Sequence, residues 1–320
     1  MSGYLEQLTV RLATGIGLLP SEVRQKHIDY LLAAQLPDGG FKGRDGESDL
    51  YYTSFGLRGL AILGELYGEP AERAARFLTQ QINQHQSIVD FFSLFYGGSL
   101  IKVAAGIDIF SDSDPTWRDN VEALLNSLRR EDGGFAKAPE GKFGSTYNSF
   151  LVMLVLQLIE RPIENPDGVL KYLSSQLVED GGWREIRVSK RAGTNPSAAA
   201  AACLQILDAM DDETANLTID FLLDMQNEEG GLRANTRIPI ADLLSSFTGG
   251  LTLQNLNAFH ELDVDSFQRF VDSLQLDGGG FMAAIWDESH DVEYTFYGLG
   301  CLSLLENHKA GRGATEIDNG

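Results

Sequence analysis

The stretch Ser273–Leu305, SLQLDGGGFMAAIWDESHDVEYTFYGLGCLSLL, holds one complete copy of a unit that recurs through the chain. An amphipathic run ends in Leu-Gln, an Asp-Gly-Gly-aromatic turn follows, and a polar loop leads into a second run rich in Tyr, Phe and Gly. The same order recurs at AQLPDGGF (34–41), SLRREDGGF (127–135), SQLVEDGGW (175–183) and MQNEEGGL (225–232). The leading glycines, Gly39, Gly133, Gly181, Gly230 and Gly278, lie 94, 48, 49 and 48 residues apart. The first gap spans two periods. A degenerate copy without its glycine pair is therefore expected near Gln84–Gln86, with FFSLFYGGSL (91–100) as its second run. Six such units fill most of the chain, and a fixed period of this length marks a repeat architecture.

Each unit reads as two helices. The first runs begin near Ser21, Pro70, Pro115, Pro166, Glu213 and Asp265, with the Pro or acidic residues that suit helix N-termini, and they carry charge on one side only. Most end in a Gly pair, which fits a left-handed cap and a tight turn. The second runs (52–63, 91–104, 147–159, 196–207, 245–256 and 294–305) are almost free of charge. Helices that are apolar all round are buried. Six buried helices inside six amphipathic ones predict an all-α fold, a closed (α/α)6 toroid. An open solenoid of the same hairpins would leave an inner helix uncovered at each end. Residues 4–16 read as a helical lead-in, 1–308 as one domain, and 309–320 as a disordered tail.

Composition narrows the partners. The net charge of −21 argues against nucleic acid and anionic membrane surfaces as main partners. No apolar run approaches the ~20 residues of a membrane span. Two cysteines, Cys203 and Cys301, give no disulfide framework and suit a reducing, cytoplasmic setting.

The Asp-Gly-Gly-Phe turns at this period, together with DVEYTFYGLGCLSLL (291–305), resemble the prenyltransferase and squalene-oxidase repeat. That repeat builds the β subunits of protein prenyltransferases, among which the (Rab-type) geranylgeranyl-transferring ones match this chain's length best, and the β domains of terpene cyclases. The resemblance implies an α/α toroid around an isoprenoid cavity, with an isoprenyl diphosphate as ligand and a second protein subunit as a partner. It also implies a zinc site of Asp and Cys two apart at the fifth inner helix and His at the sixth. Here Asp242 matches, but Leu244 stands at the Cys position and Tyr294 at the His position. Zinc wants N and S ligands, so the sequence argues against it and leaves room for magnesium. A rearranged metal site would draw on Asp242, His290 and Asp291. The Asp-x-Asp-Asp acid of a class II cyclase is absent as well.

The remaining candidates follow from position. Asp49, Asp90, Asp242 and Asp291 recur at the starts of second runs, where capping explains each. Asp242, Asp291 and Tyr294 are the catalytic candidates. Arg184, Arg187, Lys190 and Arg191 crowd one loop and Arg233 and Arg237 the next, as an anionic diphosphate requires. A solvated, charge-balancing loop is the competing reading. Tyr52, Phe95, Tyr147, Phe247 and Tyr297 are the candidate isoprenoid lining. These features leave three functions open: a prenyl diphosphate enzyme with a degenerate zinc site, a non-catalytic toroid that binds a prenyl group or a protein, and a cyclase with a non-standard acid.

Overall fold

A computed structural model describes residues 3–318 other than 83, 85 and 86, with side chains as far as 312. Among these residues the helices are α1 (Tyr4–Leu18), α2 (Ser21–Ala34), α3 (Leu50–Leu63), α4 (Gly68–Gln81), α5 (Ile88–Ala105), α6 (Trp117–Ser127), α7 (Thr146–Leu158), α8 (Pro166–Gln176), α9 (Thr194–Ile206), α10 (Asp212–Leu223), α11 (Leu243–Asn255), α12 (Val264–Ser273) and α13 (Val292–Asp318). The charge-poor runs form α3, α5, α7, α9, α11 and α13. Each packs on the next, and α13 packs back on α3. The ring is closed, with the second helix of every unit inside.

The turns explain the closure. Gly39, Gly133, Gly181 and Gly230 have φ near +90°, and a Cβ on any of them would overlap a backbone carbonyl of the next unit's outer helix, at Arg73, Gly168, Leu217 and Ser266 respectively. In the last unit this role falls to Gly279, one residue beyond the Gly278 read from the pattern, and its neighbour is the carbonyl of Lys26 on α2. The sixth turn thus docks on the first outer helix. His27 completes the seam. Its Nδ1 accepts the Gly280 N–H at 3.0 Å and its ring stacks on Phe281 at 5.0 Å.

Inside four of the units a hydroxyl ties the turn to the inner helix. The N–H groups of Phe41, Phe135, Trp183 and Leu232 donate to Thr53, Ser149, Ser197 and Ser246, each at 2.9 Å. These buried side chains fill the space between layers, and glycines of the inner helices let them approach, as Gly56 does against Phe41, Gly249 against Leu232 and Gly298 against Phe281. That close approach compensates for the roughly 1 kcal/mol a helical Gly costs relative to Ala.

α1 lies against α13 and α3. Tyr4 N–H donates to Gln157 Oε1 near the end of α7, Thr9 and Tyr96 share a hydrogen bond of 2.7 Å, and Ser303 Oγ donates to Leu12 O. It therefore fills the end of the ring where the inner helices finish. α5 is long and apolar enough to cross a membrane, but here it is an inner-ring helix between α3 and α7. The degenerate turn near Gln84–Gln86 falls partly on 85 and 86, outside the described residues. The stretch from 309, expected as a disordered tail, continues α13 to Asp318.

Candidate functional site at the mouth and axis of the ring

The inner helices all begin at one end of the ring, and the loops before them form its mouth. Adjacent loops interlock. Thr146 donates through N–H and Oγ to Glu185 O and Arg184 O, and Thr194 does the same to Ala234 O and Arg233 O. The sixth loop is a hairpin of β1 (Met282–Ala284) and β2 (Asp287–His290), antiparallel with Ala284 opposite Asp287. Trp286 at its tip donates to Glu229 Oε1 at 2.9 Å, and Arg44 of the first loop pairs with Asp287 at 2.8 Å.

The acidic arc is occupied with capping. Asp49 accepts from Tyr52 N at 2.8 Å, Asp242 from Ser245 N at 2.7 Å, and Asp291 from Glu293 N and Tyr294 N at 2.9 and 3.1 Å. Asp90 is not a terminal cap, because α5 starts earlier and Asp90 answers Ser87 in a capping box. Burial pushes the carboxyls of Asp242 and Asp291 up, against these hydrogen bonds. Tyr294 is half-buried, with Arg44 5.7 Å from its ring and its phenol raised to about 12 by burial and by the Glu293 and Asp291 charges.

Asp242, His290 and Asp291 are the residues on which a rearranged metal site would draw. Among the described residues no three His, Cys, Asp or Glu side chains converge as a metal would need. His290 is exposed on β2, and Leu244 offers no donor atom. The residues present do not fit zinc. Cys203 and Cys301 are fully buried and their thiols are pushed up by burial, as in structural cysteines.

The six cations separate into two groups, with Arg187 outside both. Arg184 and Arg233 hold equivalent places, donating to Ser175 O and Asp224 O at the ends of α8 and α10 (2.7 and 3.0 Å). They brace the outer layer. Lys190, Arg191 and Arg237 are exposed and line one cleft of about 1340 Å³ between the fourth and fifth loops, together with Arg184, the start of α9 and the carboxylates Glu179, Asp180 and Glu185. Arg191 donates to Thr236 Oγ1 at 3.2 Å. Arg187 is exposed nearby and is not among the residues lining the cleft. None of the six forms an ion pair among the described residues, and Glu185 instead caps α7 through Ser145 Oγ and Tyr147 N.

Farther in, the axis is aromatic and charged. Glu293 is buried and its Oε1 accepts from Tyr51 OH at 2.6 Å and Tyr297 OH at 3.3 Å. Burial raises its pKa, while the two phenols and Arg58 oppose the rise. Arg58, also buried, spends Nε and Nη2 on Ser54 Oγ at 3.2 and 2.9 Å. Its guanidinium lies 4.3, 5.0, 5.1 and 5.6 Å from the rings of Phe55, Phe92, Tyr96 and Phe296. Tyr147 is in electrostatic range of both charges.

Of the expected lining, Phe247 and Tyr297 stand together at 5.7 Å, and Tyr52 and Tyr147 stand toward the mouth. Phe95 instead stacks on Phe110 and Trp117, in the direction of α6. Sequence reasoning passed over Arg58, although it and Lys102 are the only charges in the six inner runs and Arg58 alone sits mid-run.

A family model described as a prenyltransferase alpha-alpha toroid domain matches residues 12–142, 84–237 and 155–317. Among solved structures, Candida albicans protein geranylgeranyltransferase-I complexed with GGPP is similar at 15% identity and TM-score 0.72, over 90% of this chain and 92% of that one. A type II terpene cyclase from Scytonema, in complex with geranylgeranyl dihydroxybenzoate, is similar at 13% identity and TM-score 0.63, over 94% and 99%. At such identities the likeness is one of fold. No curated protein sequence matches the chain.

Proposed function

The chain belongs to the prenyltransferase alpha-alpha toroid family, and from that premise we propose that it binds an isoprenyl diphosphate, with the head group in the cleft of Lys190, Arg191 and Arg237 and the chain directed toward the aromatic axis. The observation that carries this reading is that these three cations border one cleft beside the start of α9 and form no ion pair among the described residues, while Glu179, Asp180 and Glu185 line its other parts. The N-terminus of α9 opens into the same cleft and adds the positive end of a helix dipole.

The interior favours holding or transferring the prenyl group over cyclising it. Carbocation cascades need π faces with nothing positive beside them. Here Arg58 already occupies the faces of four rings. A carbocation at roughly 6 Å from that guanidinium would be opposed by about 3 kcal/mol at an effective dielectric of ~20. Glu293 also accepts from two phenols, an arrangement suited to a carboxylate and not to a proton donor. Transfer to a thiol would need an activating set that Leu244 and Tyr294 do not supply.

Calorimetric titration of the protein with geranylgeranyl diphosphate and with geranylgeraniol tests the reading. The diphosphate should bind at least about a hundredfold more tightly, equivalent to two charge-assisted contacts. Equal affinities, or no binding of either, would refute it. Release of cyclised hydrocarbon on incubation would instead establish the cyclase reading.

A further inference from the structure

We infer that the ring axis holds a polar subsite for a hydroxyl group carried on an apolar body, an alcohol or a phenol, gripped between Arg58 and Glu293. Both side chains are buried, at 9% and 8% exposure. Neither neutralises the other by contact, since no ion pair within 4.0 Å forms for either among the described residues. Each keeps one hydrogen-bonding atom without a partner among those residues. Arg58 spends Nε and Nη2 on Ser54 Oγ and leaves Nη1, while Glu293 spends Oε1 on Tyr51 and Tyr297 and leaves Oε2. Neither spare atom is sealed in by protein.

The groups around these atoms meet across the axis. α7 packs between α5 and α9, and α13 between α11 and α3. Yet Tyr147 of α7 and Tyr297 of α13 each lie in the field of both Arg58 and Glu293. α9 stands opposite α3 in the ring and carries five successive alanines, 198–202. At roughly 100° per residue, five positions sweep the full circle, so whichever face α9 turns inward there offers only methyl groups. Chemistry then selects the ligand. A carboxylate would be repelled by Glu293 and an ammonium by Arg58. A bare hydrocarbon would leave both buried groups with an unmade hydrogen bond. A hydroxyl accepts from the guanidinium and donates to the carboxylate. Arg58, Glu293, Tyr51 and Tyr297 are not among the residues lining the cationic cleft, so the inference stands apart from the prenyl reading.

Calorimetric titration of the full chain with 4-hexylphenol and with hexylbenzene at neutral pH tests it. The phenol is the less apolar of the two, so a purely hydrophobic axis would favour hexylbenzene. The parent protein should instead favour the phenol by at least about tenfold, as one charge-assisted hydrogen bond provides. Arg58→Met should abolish that preference with circular dichroism unchanged. In the parent, the phenol but not hexylbenzene should shift the Glu293 signal of carboxyl-labelled glutamate, identified by its absence from Glu293→Gln. Three results would each overturn the inference: a parent that binds neither ligand or favours hexylbenzene or neither, a preference that persists in folded Arg58→Met, and a Glu293 signal unmoved by bound phenol. The comparison of the two ligands on the parent is decisive even where a variant does not fold.

Discussion

The guanidinium carbon of Arg58 lies 4.3 Å from the centre of the Phe55 ring, and no carboxylate is within 4.0 Å of it. The charge is held by π faces and one serine hydroxyl. Its influence reaches Glu293, whose pKa it lowers against the rise caused by burial. Arg58→Met keeps most of the volume and removes the charge. The Glu293 carboxyl should then titrate at higher pH than in the parent, as followed by NMR of carboxyl-labelled glutamate. An unmoved titration would separate the two residues.

Within the cleft, Arg191→Ala and Arg237→Ala should each weaken diphosphate binding by about 1.5–3 kcal/mol, roughly ten- to a hundredfold. Affinity for the alcohol should change little, since its apolar tail makes the same contacts. Arg184→Ala and Arg233→Ala belong to a different class. They remove braces on α8 and α10 and should lower thermal stability. If all four variants act alike on both ligands, the division of the cations is wrong.

Adjacent glycines in the last turn should behave in opposite ways. A Cβ on Gly278 meets nothing within 4 Å, whereas Gly279 has φ +91° and would drive its Cβ into the Lys26 carbonyl. Gly278→Ala should change stability by less than about 1 kcal/mol. Gly279→Ala should cost at least about 3 kcal/mol, combining left-handed strain with a backbone clash. Chemical denaturation of the two variants side by side checks this.

Acid should weaken the seam at His27. Burial lowers its pKa from 6.5 to about 4, so the unfolded chain takes up a proton that the fold refuses. The contribution is complete above about pH 6.5 and is lost as pH falls toward 4, by up to about 3 kcal/mol. His27→Asn retains an acceptor for Gly280 N–H and cannot titrate. Stability measured across this range should be flatter in the variant.

The helical plan was readable because it is written in period and charge. Every predicted helix start lies within three residues of the observed one, from Ser21 in α2 to Tyr294 near the start of α13. Closure was readable because an open array would strand α3 and α13. The site was less readable. Side-chain direction on a buried helix leaves no mark in a run that is apolar on every face, so Phe95 could not be assigned between axis and periphery. Three consecutive glycines hide which one bends the chain, and only contact with Lys26 selects Gly279. Arg184 and Arg191 are alike in sequence, and a carbonyl at the end of α8 distinguishes them. The capping of Asp242 and Asp291 was expected from their places at helix starts.

The seam between Gly280 and His27 joins residues 253 positions apart. At ribosomal speed that separation is roughly ten to fifty seconds. During that time α2 has one flank without its native neighbour, because the sixth turn that covers it does not yet exist. The earlier units can stack as they emerge, each turn settling on the outer helix that follows it. The first outer helix alone must wait for the last turn. Contacts of such long range slow folding, so this single joint sets when the molecule becomes a ring. Any delay there leaves the apolar flank of α2 open to other chains, which makes the joint the point where assembly competes with aggregation.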